Sequence, residues 1–160
     1  MDGLWLGTSS KVLRRSSSLY FLDASALAKR YLAELGSDQV RLLVQRRKHL
    51  AVSRVSNVEI AAALSRRARQ GDLSQDSARS LSQQMEEDLQ EVRVVELRAP
   101  VLELAAALVW QHPLCAHDAL QLGSALRLAR STRLAVTFLC SDANLCRAAS
   151  EEGLRVQRLG

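Results

Sequence analysis

Along this chain, short apolar runs alternate with stretches in which apolar residues recur at helical spacing. Leu19-Tyr20-Phe21-Leu22 is a compact run of large side chains, the pattern of a buried strand. Leu50-Ala51-Val52-Ser53, Val92 to Leu97 and Leu134 to Leu139 repeat it. Between them, Ser25 to Tyr31, Asp38 to Arg47, Ser56 to Gln70 and Ser74 to Gln90 read as helices. Gly71 ends the third of these, as glycine commonly does. Ala78, Leu81, Met85 and Leu89 form one apolar stripe on the fourth. Pro100 opens the next helix at a position proline favours, and Pro113 breaks the chain beyond Gln111. His117 to Ala129 and Ala143 to Glu152 complete the helices, and Arg155 to Arg158 is a last, edge strand. Strands alternating with helices predict an α/β fold with a parallel sheet covered on both faces.

In such sheets the functional crevice lies beyond the carboxyl ends of the strands. Asp23 immediately follows the first strand, and Asp142 closely follows the fourth. Glu59 and Asp118 lie in the first turns of helices whose N-termini can point to the same edge. Each acid also has an ordinary structural role open to it. Ser56-Asn57-Val58-Glu59 matches a capping box. Asp23 and Asp142 can be N-caps, and Asp118 can complement a helix dipole. Their apolar neighbours (Tyr-Phe-Leu-Asp-Ala, Val-Glu-Ile-Ala-Ala, His-Asp-Ala-Leu) argue for a shared place near the core. Carboxylates gathered there repel one another, and burial raises the penalty. A hard dication with oxygen ligands, Mg²⁺ or Mn²⁺, removes it. Zinc would prefer His and Cys, and His117 stands alone beside Asp118, so it reads as structural or substrate-facing.

Composition narrows the class. A chain of 160 residues that is 48% hydrophobic and 24% charged is one globular domain. Aromatics at 4% argue against a stacking platform for single strands. A net charge of +5 fits a polyanionic partner, although most basic side chains on helices simply solvate a face. The cysteines, Cys115, Cys140 and Cys146, lack zinc spacing and read as buried, reduced thiols of a cytosolic protein. No apolar stretch is long enough to span a membrane, and no membrane partner is expected. Residues 1–17 read as a loose extension, since the apolar run after Arg14-Arg15 is too short for a secretory leader. Phosphate-binding glycine loops and the G-x-S-x-G elbow are missing from the sequence.

Four segments together resemble the PIN-domain family, specifically the VapC-type toxins of bacterial toxin–antitoxin pairs. They are Leu22-Asp23-Ala24-Ser25-Ala26-Leu27, Ser53 to Glu59, His117 to Leu122, and Thr137 to Leu145, in family order. The resemblance covers about residues 18–160. It implies a Rossmann-like sheet of about five parallel strands and Mg²⁺- or Mn²⁺-dependent cleavage of RNA, with one or two ions per site. Asp23, Glu59, Asp118 and Asp142 match the family's acids, Ser25 its hydroxyl, and Asn144 a support for the last acid. It also implies a cognate antitoxin and a homodimer, with Ser74 to Gln90 as the suggested dimer region. Basic residues such as Arg30, Arg54, Arg66 and Arg67 are candidates for the RNA backbone. One departure stands out: Cys115 occupies a position where many relatives carry Arg. Two other classes fit the same residues, a PIN-like binding module without catalysis and a different metal-dependent phosphohydrolase.

Overall fold

A computed structural model describes residues 18–46 and 49–160. The expectation for residues 1–17 therefore lies outside the described residues. Five strands form one sheet: β1 (Ser18–Leu22), β2 (Leu50–Ser53), β3 (Arg93–Val95), β4 (Ala135–Cys140) and β5 (Arg155–Arg158). Their order is β3-β2-β1-β4-β5, and every pairing is parallel. The helices among the described residues are α1 (Ala24–Ala28), α2 (Ser37–Gln45), α3 (Ser56–Gln70), α4 (Gln75–Asp88), α5 (Ala99–Gln111), α6 (Ala116–Thr132) and α7 (Ala143–Glu151). This is the α/β arrangement that the pattern predicts, with the five parallel strands that the resemblance implies. The third strand is shorter than expected, because Glu96, Leu97 and Arg98 leave the ladder before α5 begins.

The pleat divides the core. Phe21, Ala51 and Phe138 face one way, into a cluster with Leu122, Ala125 and Leu145 from α6 and α7. Their chain neighbours Leu22, Val52 and Leu139 face the other way, onto Val40, Ile60, Leu64 and Met85 of α2, α3 and α4. Alternation along each strand thus buries both faces. Phe21 and Phe138 are register partners in β1 and β4, and their rings stack with centroids 5.6 Å apart. Arg93 on β3 and Arg155 on β5 put charge on the two edge strands, which discourages pairing with other chains.

The apolar stripe of α4 is committed to this core. Ala78, Met85 and Leu89 are buried and Leu81 is partly buried against the same cluster. The stripe is therefore core, and it lends no support to the suggestion that this helix supplies a dimer face. Periodicity alone could not separate the two uses. The thiol expectation is corrected. Cys140 and Cys146 form a disulfide, and Cys115 is exposed. Cys140 ends β4 and Cys146 lies in the first turns of α7, so the turn between them brings their Cα atoms to 6.2 Å.

Helix α5 packs tightly against α6 at Gly123. A Cβ added at Gly123 would stand 3.2 Å from the Val101 carbonyl oxygen and the Ala105 amide nitrogen. Backbone cannot yield there as a flexible side chain would. Gly123→Val should therefore destabilise the fold by about 2 kcal/mol, the usual scale of overpacking. Urea unfolding checks this, and an unchanged midpoint would show that α5 can move away at no cost.

Candidate metal-binding active site

The strand order places a topological switch between β1 and β4. The chain leaves β1 toward β2 and β3, then returns to β4 on the other side. Such a switch opens a crevice at the carboxyl ends of the two strands. Asp23 stands in it as the first residue after β1, and its amide donates to the Leu139 carbonyl of β4 at 3.1 Å. Ser25 closes the crevice from the same segment. Its hydroxyl donates to Asp23 and accepts from the Ser141 amide at 3.1 Å.

An open cleft of about 250 Å³ at this edge is lined by Asp23, Ser25, Glu59, His117, Asp118, Gln121 and Asp142. The four predicted acids are therefore brought together from α1, α3, α6 and α7. A larger concavity, about 700 Å³, lies at the strands' amino ends around Leu19, His49 and Leu50. Among the described residues its only acid is Glu91, with Arg93 beside it, so they offer it no convergent acids. Asn144 is not among the residues lining the acidic cleft. It is exposed on α7 and makes no side-chain hydrogen bond among the described residues.

Structural and functional readings of the acids turn out to be compatible. Asp23 does cap α1, accepting from the Ala26 amide through Oδ1 at 2.7 Å. Asp142 does cap α7, accepting from the Leu145 amide through Oδ1 at 2.8 Å. The capping box at Ser56–Glu59 does not form. Val55 is the N-cap of α3, without a side-chain bond, and Ser56 is buried inside the first turn. Glu59 is held instead by Gln121, whose Nε2 donates to Oε2 at 2.6 Å and to the Ser56 hydroxyl at 3.0 Å. Asp118 Oδ2 accepts from the Cys115 thiol at 2.9 Å. In three of the four acids, Glu59, Asp118 and Asp142, one oxygen is engaged by these contacts and the other is left for a ligand. In Asp23, Oδ1 takes the stronger bonds, and Oδ2 accepts only from Ser25 at 3.0 Å.

The electrostatics of the cleft favour a cation. Burial pushes the Asp23 carboxyl up to about 6, against the lowering effect of its bonds to Ala26 and Ser25, and Glu59 and Asp118 repel its charge further. Burial also raises Glu59, while the Gln121 bond and the His117 ring pull the other way. Gln121 Oε1 is buried with no hydrogen-bond partner. The carboxylates supply only hard oxygen donors, which suits Mg²⁺ or Mn²⁺. The donor set therefore fits the dication.

Gln121 is the residue that sequence reasoning missed. It sits in an apolar helix segment, 1% exposed. Its signal was spacing: Asp118, Gln121 and Ser124 recur every third residue and form one polar stripe on α6. Ser124 continues the stripe inward, with its hydroxyl 2.9 Å from that of Ser53 at the end of β2. Of the arginines considered for RNA, Arg30 is bound to Asp88 at 2.6 Å and packs over the Tyr31 ring. Arg54 pairs with Glu96 and Arg67 with Glu34. Arg66 is exposed, with no salt bridge among the described residues.

Asp23 gives a pH test of this electrostatic picture. Its carboxyl holds a proton up to about pH 6 in the folded, metal-free protein, whereas an unfolded Asp releases it near pH 4. Between those limits the folded state binds more protons, so stability falls as pH rises. The loss attributable to Asp23 is about 3 kcal/mol between pH 4 and 7. It should be missing in Asp23→Asn and should shrink when Mg²⁺ is added. Parallel pH–stability curves for the two metal-free proteins would show that Asp23 ionises without penalty.

Comparisons with known proteins bear on the family and the fold. The PIN domain family profile matches residues 20–150. Ribonuclease VapC45 and Ribonuclease VapC49, from two strains of Mycobacterium tuberculosis, are each 34% identical over 108 residues, which cover 68% of this chain and 75% of theirs. Among solved structures, the Rickettsia felis VapBC2 complex bound to a DNA fragment from its promoter contains a similar chain. The TM-score is 0.61 at 12% identity, covering 89% of this chain and 99% of that one. The match across most of the described sheet, together with relatives at that identity, shows that this chain belongs to the PIN-domain family.

Proposed function

We propose that this protein is a divalent-metal-dependent endoribonuclease that hydrolyses RNA phosphodiester bonds, and the toxin of a toxin–antitoxin pair. The observation that carries the reading is the convergence of Asp23, Glu59, Asp118 and Asp142 on one cleft at the β1/β4 switch. The ribonuclease names of its relatives support the substrate class. Structural neighbours described as a toxin–antitoxin complex from Klebsiella pneumoniae and as a member of the VapBC family of toxin–antitoxin systems from Mycobacterium tuberculosis support an antitoxin partner. A cytoplasmic location belongs to the same reading, since cellular RNA is found there.

Asp23, Asp118 and Asp142 are the proposed cation ligands, with Glu59 ligating or orienting water. A bound Mg²⁺ or Mn²⁺ would supply positive charge against the scissile phosphate and acidify water. The chain's own part is to fix where these charges stand. Ser25 and the Ala26 amide orient Asp23. Gln121 engages Glu59 through Oε2, which leaves Oε1 to accept a proton from the attacking water. Gln121 is a positioning residue, since it acts through Glu59. His117, 60% exposed at the cleft rim, is placed to meet substrate.

Homodimerisation belongs to the same reading. With the α4 stripe buried, the exposed apolar side chains at helical spacing are Leu102, Val109 and Trp110 on α5, with Trp110 at 90% exposure. Trp110→Glu is expected to shift a dimer toward monomer in sedimentation. An unchanged mass would move the interface elsewhere.

The decisive assay is cleavage of mixed RNA with Mg²⁺ or Mn²⁺, with and without EDTA. Chelation should abolish cleavage. Asp23→Asn and Asp118→Asn should each lower it at least about 100-fold, the scale of losing one preorganised electrostatic group. Gln121→Leu should cost about 10-fold and raise the Mg²⁺ concentration needed for half-maximal rate, as outer-shell substitutions do. Undiminished cleavage in both Asn variants would overturn the site. Cleavage of small phosphate esters but not RNA would point to another phosphohydrolase, and folded, metal-loaded protein that cuts neither would point to a binding module.

A further inference from the structure

The rim of the acidic cleft carries a second, chemically different set of donors. Cys115, His117 and Asp118 come from one short segment that leads into α6. Their ligand atoms all lie within 4.8 Å of one another. The Cys115 sulfur is 3.4 Å from both His117 ring nitrogens and 2.9 Å from Asp118 Oδ2. His117 Nε2 is 3.6 Å from Asp118 Oδ1. Zinc bonds of about 2.0 Å to nitrogen and 2.3 Å to sulfur, directed tetrahedrally, put neighbouring ligand atoms about 3.5 Å apart. The pairwise distances are near that spacing, with the sulfur measured to Asp118 Oδ2 and the ring nitrogen to Oδ1, so side-chain rotation is needed to present one oxygen and one nitrogen to the same ion.

We infer that Cys115, His117 and Asp118 form a zinc site whose occupation withdraws Asp118 from the hydrolytic cation and so inhibits the enzyme. The inhibitory part rests on the nuclease reading of Asp118, whereas the binding part does not. A thiolate and an imidazole select Zn²⁺ over Mg²⁺. The selectivity runs the other way among Asp23, Glu59 and Asp142, which offer only oxygen. Asp118 is the one ligand common to both sets, so the two metals compete for it. Cys115 and His117 are exposed, which gives the ion an open approach from solvent. As the sulfur–zinc bond forms, the thiol proton passes to the buffer. The fourth zinc position is left to water, as in other three-ligand sites.

Two readouts separate binding from inhibition. Equilibrium dialysis of the full chain against Zn²⁺, in excess Mg²⁺ and under anaerobic buffer without reductant so that the Cys140–Cys146 disulfide stays intact, measures zinc alone. Wild-type protein should retain one Zn²⁺. Cys115→Ala and His117→Ala, both at exposed positions, should bind it at least about 10-fold more weakly, since even outer-shell changes cost a metal site that much. Co²⁺ in place of Zn²⁺ should give a thiolate-to-metal charge-transfer band that Cys115→Ala lacks. In the RNA assay at constant Mg²⁺, Zn²⁺ should suppress wild-type cleavage. Cys115→Ala, normalised to its own zinc-free rate, should need about 10-fold more Zn²⁺ for the same fractional loss. Equal zinc affinity in wild type and Cys115→Ala, or a Co²⁺ complex without the thiolate band, would overturn the site. Zinc retention through Cys115 without loss of cleavage would overturn the competition for Asp118. If the protein cuts no RNA at all, dialysis and the Co²⁺ spectrum still decide the zinc site independently.

Discussion

Keeping a charge on Asp23 is the constraint around which this molecule is arranged. Its side chain follows the central strand directly and is 4% exposed. An ionised carboxylate in that position loses most of its hydration, and Glu59 and Asp118 add repulsion. The Ala26 amide and the Ser25 hydroxyl return part of the lost solvation, yet burial still dominates. Under the proposed reading a bound dication would complete the compensation, because it would replace mutual repulsion with shared attraction. The apo state is therefore the electrostatically unfavourable one, and the sheet must hold the acids in place without help from the ligand.

The sheet is built to do so. β1 lies at its centre with apolar side chains committed to both faces. The stacked Phe21 and Phe138 tie β1 to β4 on one face, and Leu22 and Leu139 do so on the other. Beyond the strand ends, Gln121 joins α6, which packs on the first face, to α3, which packs on the second. The Cys140–Cys146 disulfide brackets the turn that carries Asp142. Each link fixes an acid through a rigid neighbour rather than through a loop, which is what a preorganised site requires.

The elements were legible because strand and helix periods differ so plainly in this chain. Leu50 to Ser53 and Ser56 to Gln70 begin and end where the pattern places them. The rule that ligands gather at carboxyl strand ends then located Asp23 and Asp142 without any knowledge of contacts. What stayed hidden was partner choice. Glu59 has the spacing of a capping box, but a buried Gln121 on a distant helix offers it a better donor, and sequence spacing reports only local partners. The same limit hid the disulfide, since Cys140 and Cys146 meet only because a strand end turns straight into a helix. It also hid the fate of the arginines, three of which are paired with Asp88, Glu96 and Glu34.

That pairing bears on how a polyanion would be received. The chain's excess of 22 basic over 17 acidic residues suggests an attractive surface. Arg30, Arg54 and Arg67, however, are neutralised within the fold, and the cleft itself presents four acids. A phosphate approaching the bare cleft meets charge of its own sign. At close range such repulsion outweighs a diffuse positive surface, which salt screens over about 10 Å. The acids must be neutralised before a phosphodiester can settle beside them. Under the nuclease reading, cation loading therefore precedes productive RNA binding. The order follows from the sign of the cleft and does not require any movement of the protein.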